Sequence, residues 1–505
     1  MRFTFGFRSF LIVGLMATAA WAQIPYPNPI RHVIVIDQEN RTIDNLFGSN
    51  SPSNRYYLPG LDVSTTGKAF TIVNRVKNVF TVQAVPIPLA SILHSPGSVD
   101  ADDYDPNHGH PGWRIACDAP SKTDSSDKCR MDGFNHVGVG CNPGATGCPG
   151  PAYPTYAYVQ YQDVAPYFQI ASQYGYANYM FQSSQGPSFS AHQFLFTGTS
   201  QAGNGPEPTW FVSEGGKGGC LGASTGAVVQ LINPATQDMS TRTSACLNHQ
   251  TIADVFAAAN PPITWTYYAI GPSSDWSAPS AFEAICTVIG GKCTGPYWTK
   301  GASNGYMDRH PSDVLIDIGA CQLRQVNWVT PTGLESDHGR TNDGSGPSWV
   351  ASIVNKIGNS PCTDVVNGKT LTYWQDTVIL ITWDDWGGWY EHVVPPPLSA
   401  NAPAVAASYA YGFRVPLLVV SAYTPAGTVS NTMGLDFGAI LKFIEEVFNL
   451  GTIPPGDYAD SYAKGDLKEF FKFGRVPRRF QSIQAPLSEK VFLDRNRPLL
   501  PPDDD

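Results

Sequence analysis

Two adjacent carboxylates, Asp384 and Asp385, follow the apolar run Val378-Ile379-Leu380-Ile381-Thr382 and stand just before Gly387-Gly388. Far upstream, Glu39 and Asn40 follow a second such run, Val33–Ile36, which itself ends in Asp37. Oxygen ligands delivered by two strand ends suit a hard divalent cation. Ser188 follows the Gly186-Pro187 turn, and two loops supply His108 (in Asp105–His110) and His338 (in Ser336–Gly339). Cation ligands, a hydroxyl nucleophile at a helix start and imidazoles able to move a proton are the parts of metal-assisted phosphoryl transfer. Each part also has an ordinary reading. Asp-Asp before Gly-Gly is common turn chemistry, a serine after Gly-Pro is commonly a helix cap, and a lone loop histidine is commonly structural.

Weaker candidates surround these. Asp337 either orients the neighbouring His338 or is solvated, and Asp105 and Asp132 are turn or near-site carboxylates. His392, after the acidic pair, could support the metal ligands from behind, and His192, four residues after Ser188, could reach the site by helical spacing. Trp383, Trp386, Trp389 and Tyr390 are either core packing or a wall for an organic leaving group.

The elements that must position these groups can be read from the apolar pattern. Both runs are short, β-branched and without alternation, as expected for strands of a parallel sheet covered on both faces. Ligand crevices in such sheets lie beyond the carboxyl ends of the strands. Because neighbouring strand residues point to opposite faces, Asp384 and Asp385 can share one site only if the chain bends there, which the glycines permit. Val415–Ser421 reads as a further buried strand and Ile263–Ala269 as another. Helices are predicted from Thr42 to a stop at Gly48, over Tyr161–Tyr174, from Ser188 to Gly198, over Thr251–Ala259, around Trp349–Ile357 and over Gly434–Asn449. Residues 50–160 and 200–330 read as loops and short strands.

Composition narrows the class. Over 505 residues, only 15% are charged while glycine (48) and proline (42) are abundant, which fits a loop-rich packed enzyme. Arg2 and Arg8, the apolar stretch Phe10–Ala20 and Ala20-Trp21-Ala22 read as a secretory signal peptide over 1–22, hence a secreted or periplasmic location. The net charge of −10 becomes −12 without Arg2 and Arg8, which argues against nucleic acid and against docking to anionic membranes. Nothing else reads as a membrane span, so no stable membrane insertion is expected. Ten cysteines in an exported chain favour disulfides, with Cys117/Cys129, Cys141/Cys148 and Cys286/Cys293 close enough to staple local loops.

The motifs taken together resemble one known group. His32–Gly48 (HVIVIDQENRTIDNLFG) is similar to the signature strand and turn of the bacterial phosphoesterase family, which includes non-specific phospholipases C and a class of acid phosphatases within the alkaline phosphatase superfamily. Asp105–His110, Met131–Phe134, Gly186–Gln193, Ser336–Gly339, Thr382–Pro396 and Gly412–Thr424 follow in the family's order, so the resemblance spans roughly 30–480. It implies an alkaline-phosphatase-like, three-layer α/β sandwich with a mostly parallel central sheet and loop-rich insertions near 50–160 and 200–330. The catalytic domain would cover 23–480, with 481–505 a C-terminal tail. It also implies metal binding by Glu39, Asn40, Asp384 and Asp385, a divalent cation of unspecified identity, Ser188 as nucleophile, and His108 and His338 on the phosphoryl or leaving group.

Two departures bear on substrate. Phospholipase-like members carry Pro-Asn-Arg where this chain has Ser190-Ala191-His192, and Asp-Glu where it has Asp384-Asp385; both lean towards the acid phosphatases. The expected substrate is a phosphoester, either a phospholipid head group or a phosphomonoester. The rivals are a silent binding protein on the same fold and a sulfate-ester hydrolase, for which Ser188–His192 lacks the usual C/S-x-P-x-R setting.

Overall fold

The computed structural model describes residues 28–76, 79–94, 101–119, 128–141, 148, 150–215, 218–398 and 411–501. The expected signal peptide lies outside them. One eight-stranded sheet organises the chain. Its strands are β1 (His32–Gln38), β2 (Gly175–Ala177), β3 (Trp265–Tyr268), β4 (Gly305–Asp308), β5 (Val326–Val329), β6 (Thr377–Trp383), β7 (Leu417–Ser421) and β8 (Thr428–Ser430). Their spatial order is β4-β3-β5-β1-β6-β7-β2-β8. From β4 to β6 all neighbours are parallel, and β7 alone runs against the rest.

β1 and β6 pair from His32↔Thr377 to Gln38↔Trp383, and every residue of both strands is buried. Their lack of alternation therefore reflects cover on both faces. Register separates the two faces. Trp383 lies opposite Gln38 on β1, level in facing with Ile36 and so with Val329, whereas Trp328 faces the other way. Trp383 meets Tyr167 of the helix Tyr161–Gln173 edge to face, with ring centroids 5.0 Å apart. Trp328 donates to Leu195 O of the helix Ser188–Thr197 at 3.3 Å. Helices thus cover both faces, giving the three-layer α/β sandwich with a mostly parallel sheet.

Most expected elements form, with shifted ends. The helices run Ile43–Phe47, Tyr161–Gln173, Ser188–Thr197, Ile252–Ala258, Gly346–Gly358 and Phe437–Val447. The region 50–160 also contains a long antiparallel hairpin, Thr66–Val76 with Val79–Pro88, that sequence reading missed. Pro86 and Pro88 within its second strand suppress the strand signal.

All ten cysteines pair. Cys117–Cys129, Cys141–Cys148 and Cys286–Cys293 form as the spacing suggests, and Cys220–Cys246 and Cys321–Cys362 add two longer links. Five disulfides fit a protein that matures in an oxidising compartment. Among the described residues, no helix is long and apolar enough to cross a membrane.

Candidate active site

β1 and β6 end side by side, and their continuations are laced together. Asp384 N donates to Gln38 O (3.0 Å), and Asn40 N donates back to Asp384 Oδ1 (3.0 Å). Asn40 sits at φ 61°, a left-handed conformation that asparagine tolerates better than most side chains. Opposite it, Gly387 has φ 60°, and a Cβ there would lie 2.2 Å from Asn40 O. The predicted bend is therefore real and needs glycine for two reasons, backbone angle and close approach. Asp385 Oδ1 accepts from Gly387 N at 2.7 Å, which fixes the second carboxylate across the bend.

Ser188 is the first residue of its helix, after Pro187 as N-cap. Its Oγ lies 3.3 Å from Glu39 Oε2, 3.4 Å from Asn40 Oδ1 and 3.4 Å from Asp385 Oδ2. The N–H groups of Ser190 and Ala191 close onto Pro187 O. By helix geometry those of Ser188 and Phe189 have no acceptor within the helix, so they can serve an anion.

The acids are crowded. Glu39, Asn40, Asp384 and Asp385 are fully buried. Ligand atoms of Glu39, Asp384 and His192 lie within 4.8 Å of one another. At an effective dielectric near 20, two carboxylates at that range repel by about 3–4 kcal/mol. Burial, reinforced by Asp384, Asp37 and Asp385, drives the Glu39 carboxyl well above its ordinary range. Asp384 Oδ2 is buried without a hydrogen-bond partner.

The Asn40 amide carries the same message. With its nitrogen turned to the carboxylates, it donates to Asp384 Oδ1 (2.9 Å) and Glu39 Oε2 (3.2 Å). With its oxygen there instead, it faces the Asp384 and Glu39 carboxylates with the Ser188 hydroxyl as a donor at 3.4 Å, an arrangement of crowded oxygens that a cation between them would repair. Three acids and an amide oxygen are the donor set of a hard divalent cation, and these residues fit one.

The two loop histidines arrive at the other end of the Asn40 amide, 3.0 Å from His108 Nε2 and 2.8 Å from His338 Nε2. His108 Nδ1 lies 2.8 Å from Pro106 O, and His338 Nδ1 2.6 Å from Gly339 O. Since a carbonyl can only accept, each Nδ1 carries a hydrogen. Each Nε2 is thus a lone pair in the neutral ring and a donor only in the imidazolium.

All seven predicted site residues converge. Several weaker expectations resolve differently. The Asp337 carboxylate is engaged away from the neighbouring ring, taking His94 Nε2 (2.8 Å), Tyr167 OH (2.8 Å) and Trp383 Nε1 (2.9 Å), so it is neither solvated nor a direct hydrogen-bond partner for His338. His392 does not support the metal ligands. It pairs with Asp44 (2.7 Å) and Asp62 (3.2 Å) in a separate cluster with Glu391 and Arg414. Trp383, Trp386, Trp389 and Tyr390 are buried, which is the packing reading. Asp105 Oδ1 lies 3.6 Å from His108 Nδ1, whereas Asp132 lies against Asp118, and burial and that neighbour push its carboxyl above the ordinary range.

His192 does reach the site. It bridges Asp37 (2.9 Å) and Glu39 (3.0 Å), so its ring pins a ligand from behind. Asp37 is lifted to about 6, chiefly by burial and despite His192. Trp276 was not legible. It is buried with its ring 6.4 Å from His192 and 6.3 Å from His338, and no local pattern around it marks a site.

The chain belongs to the Phosphoesterase family, whose profile matches residues 30–451. Among curated relatives, Phospholipase C A of Mycobacterium tuberculosis (strain ATCC 25618 / H37Rv) is 23% identical over 192 residues, covering 35% of each chain. Non-hemolytic phospholipase C of Pseudomonas aeruginosa is 24% identical over 482 residues, 88% of this chain and 57% of the relative. The chain thus spans about a third to a little over half the length of these relatives. A solved structure of a protein in the alkaline phosphatase superfamily from Vibrio parahaemolyticus aligns at 10% identity with a TM-score of 0.32, over 61% of this chain and 64% of that one. A likeness that slight adds nothing to the reading of the site.

Proposed function

We propose that this protein is an exported, metal-dependent phosphoesterase that hydrolyses phosphate esters through Ser188. The observation that carries the proposal is the position of Ser188 Oγ, within 3.4 Å of Glu39, Asn40 and Asp385 together. A divalent cation on Glu39, Asn40, Asp384 and Asp385 would supply charge neutralisation at the hydroxyl and at a phosphoryl oxygen. The chain's own groups do the rest. The Ser188 hydroxyl points at the carboxylates that can accept its hydrogen as the oxygen attacks phosphorus. The helix N–H groups at Ser188 and Phe189 bind the phosphoryl oxygens. The departing alkoxide takes a proton from His108 or His338 in the imidazolium form, the only form with a hydrogen on Nε2. Water then attacks the phosphoseryl phosphorus and gives its proton to the same imidazole, now neutral, while the P–Oγ bond breaks, phosphate leaves and Ser188 Oγ takes back its hydrogen from the carboxylates.

Membership of the Phosphoesterase family and relatives named phospholipase C support phosphoester hydrolysis. The substrate is a phospholipid head group or a phosphomonoester, and Ser190-Ala191-His192 after the nucleophile leans towards the second. Phosphate release from an aryl phosphate, choline phosphate release from phosphatidylcholine and sulfate release from an aryl sulfate separate the readings. The purified protein should turn over one of the phosphoesters, and Ser188→Ala should not. Turnover by Ser188→Ala at the wild-type rate would overturn the mechanism, and silence towards every phosphoester would favour a binding protein.

A further inference from the structure

His108 and His338 sit on separate loops, 230 residues apart in the chain and on no strand or helix of the main sheet. Something must hold both Nε2 atoms at Asn40. Behind them lies a cluster of charge that the proposed chemistry does not use: Arg41, His94, Asp102 and Asp337, all fully buried or nearly so. His94 stands at its centre, with Nδ1 3.0 Å from Asp102 Oδ2 and Nε2 2.8 Å from Asp337 Oδ1. Asp102 begins the segment that leads to His108, and Asp337 immediately precedes His338. Arg41, next to Asn40, donates through Nε to Asp337 O (2.6 Å) and pairs through its guanidinium with Asp102.

The two loops are also joined directly. Arg340 N donates to Asp102 O (2.7 Å), and Asn342 Nδ2 donates to His338 O (2.7 Å) and Asp102 Oδ2 (3.3 Å). Gly339 comes so close that a Cβ would lie 2.7 Å from Tyr104 O. Tyr167 and Trp383 then fasten Asp337 to a helix and to the end of β6.

From this geometry we infer that His94 is a positioning residue: as a buried cation clamped between Asp102 and Asp337, it locks the His108 loop to the His338 loop and sets both imidazoles for proton transfer. Two carboxylates balance two cations here, so the cluster is neutral when His94 is protonated. Burial opposes that charge, but Asp102 and Asp337 outweigh it and hold His94 at about 9. The inference rests on the proposed function, because it assigns His94 to the loops that serve the leaving group.

The test compares two phosphomonoesters, p-nitrophenyl phosphate and an alkyl phosphate. The first has a leaving group that needs little protonation, and the second depends on it. In His94→Gln, metal content should match wild type, because none of Glu39, Asn40, Asp384 and Asp385 lies on these loops. kcat should fall about tenfold or more on the alkyl ester and less than threefold on the aryl ester. Partial unfolding would lower both equally, so an equal fall overturns the inference, as does no fall or a loss of metal in step with kcat. If His94→Gln does not fold, Tyr167→Phe decides. It removes one anchor of Asp337 and should show the same selective loss, two- to fivefold, and an unselective result there overturns the inference. Activity surviving in Ser188→Ala would sink the proposed mechanism instead, by an independent measurement.

Discussion

Ser188 Oγ lies 3.3 Å from Glu39 Oε2, across 149 residues of sequence. The hydroxyl is buried among acceptors, and the proposed mechanism makes it the nucleophile, so its two roles can be separated by experiment. Ser188→Ala removes one hydrogen-bond donor from Glu39 and Asp385, which should change stability by about 1 kcal/mol. Phosphate release should fall by about a thousandfold or more, as losses of covalent nucleophiles do. Urea unfolding and a phosphate-release assay on one preparation check both halves.

The carboxylate cluster makes a second prediction. Without a cation, Glu39, Asp384, Asp385 and Asp37 crowd and repel one another, with His192 on Asp37 and Glu39 offsetting part of the charge. Asp385→Asn should therefore raise the melting temperature of metal-stripped protein while weakening metal binding. Stripping wild type with a chelator should lower its stability, by about 4 kcal/mol if the metal had been present at a thousand times its Kd. Calorimetric melts of both proteins, stripped and reloaded, read these effects. A mutant less stable than wild type when both are stripped would count against the repulsion argument.

What the sequence made legible follows a physical line. Continuous apolar runs betray buried strands, so β1 and β6 and the acids at their ends could be found before any coordinates. The direction of β7 could not, because Leu417–Ser421 reads the same whether its neighbour is parallel or antiparallel. The three short-range disulfides were within reach of spacing, whereas Cys220–Cys246 and Cys321–Cys362 close loops whose ends only the fold brings together. The Arg41–Asp102–His94–Asp337 cluster left no trace. Buried charges become tolerable only through partners from distant segments, and no local pattern records them. Asp337 shows the cost of reasoning from adjacency: it neighbours His338 in sequence, yet its carboxylate serves His94, Tyr167 and Trp383.

Gly387 offers a test of the bend. Both Gly387 (φ 60°) and Gly368 (φ 75°) are left-handed, but only at Gly387 would a Cβ meet backbone, Asn40 O at 2.2 Å. Alanine at Gly368 incurs the conformational term alone, about 1–2 kcal/mol. Alanine at Gly387 adds a clash that can be relieved only by parting Asn40 from Asp385. Gly387→Ala should thus be more destabilising than Gly368→Ala and should weaken metal binding at least tenfold, while Gly368→Ala leaves it unchanged. Equal metal affinities in the two variants, measured by titration calorimetry, would mean the bend does not set the ligand geometry.

The charged cluster around His94 predicts a pH dependence whose sign can be worked out. His94 rises from 6.5 to about 9, because Asp102 and Asp337 outweigh burial. A raised cationic group stabilises the fold fully below its unfolded value and loses that contribution as pH climbs through the folded one. Asp102 moves from 3.8 to about 2, burial being overcome by Arg41 and His94, so its contribution is present above 3.8 and lost as pH falls through 2. The cluster is therefore strongest between about pH 4 and 6.5. The stability gap between wild type and His94→Gln should be widest there and should narrow by on the order of 3 kcal/mol as pH rises beyond 9. Because the other titrating groups are common to both proteins, urea unfolding of the pair at pH 6 and pH 10 isolates His94. A gap that stays constant or widens with pH would mean that the imidazole is neutral between its two carboxylates.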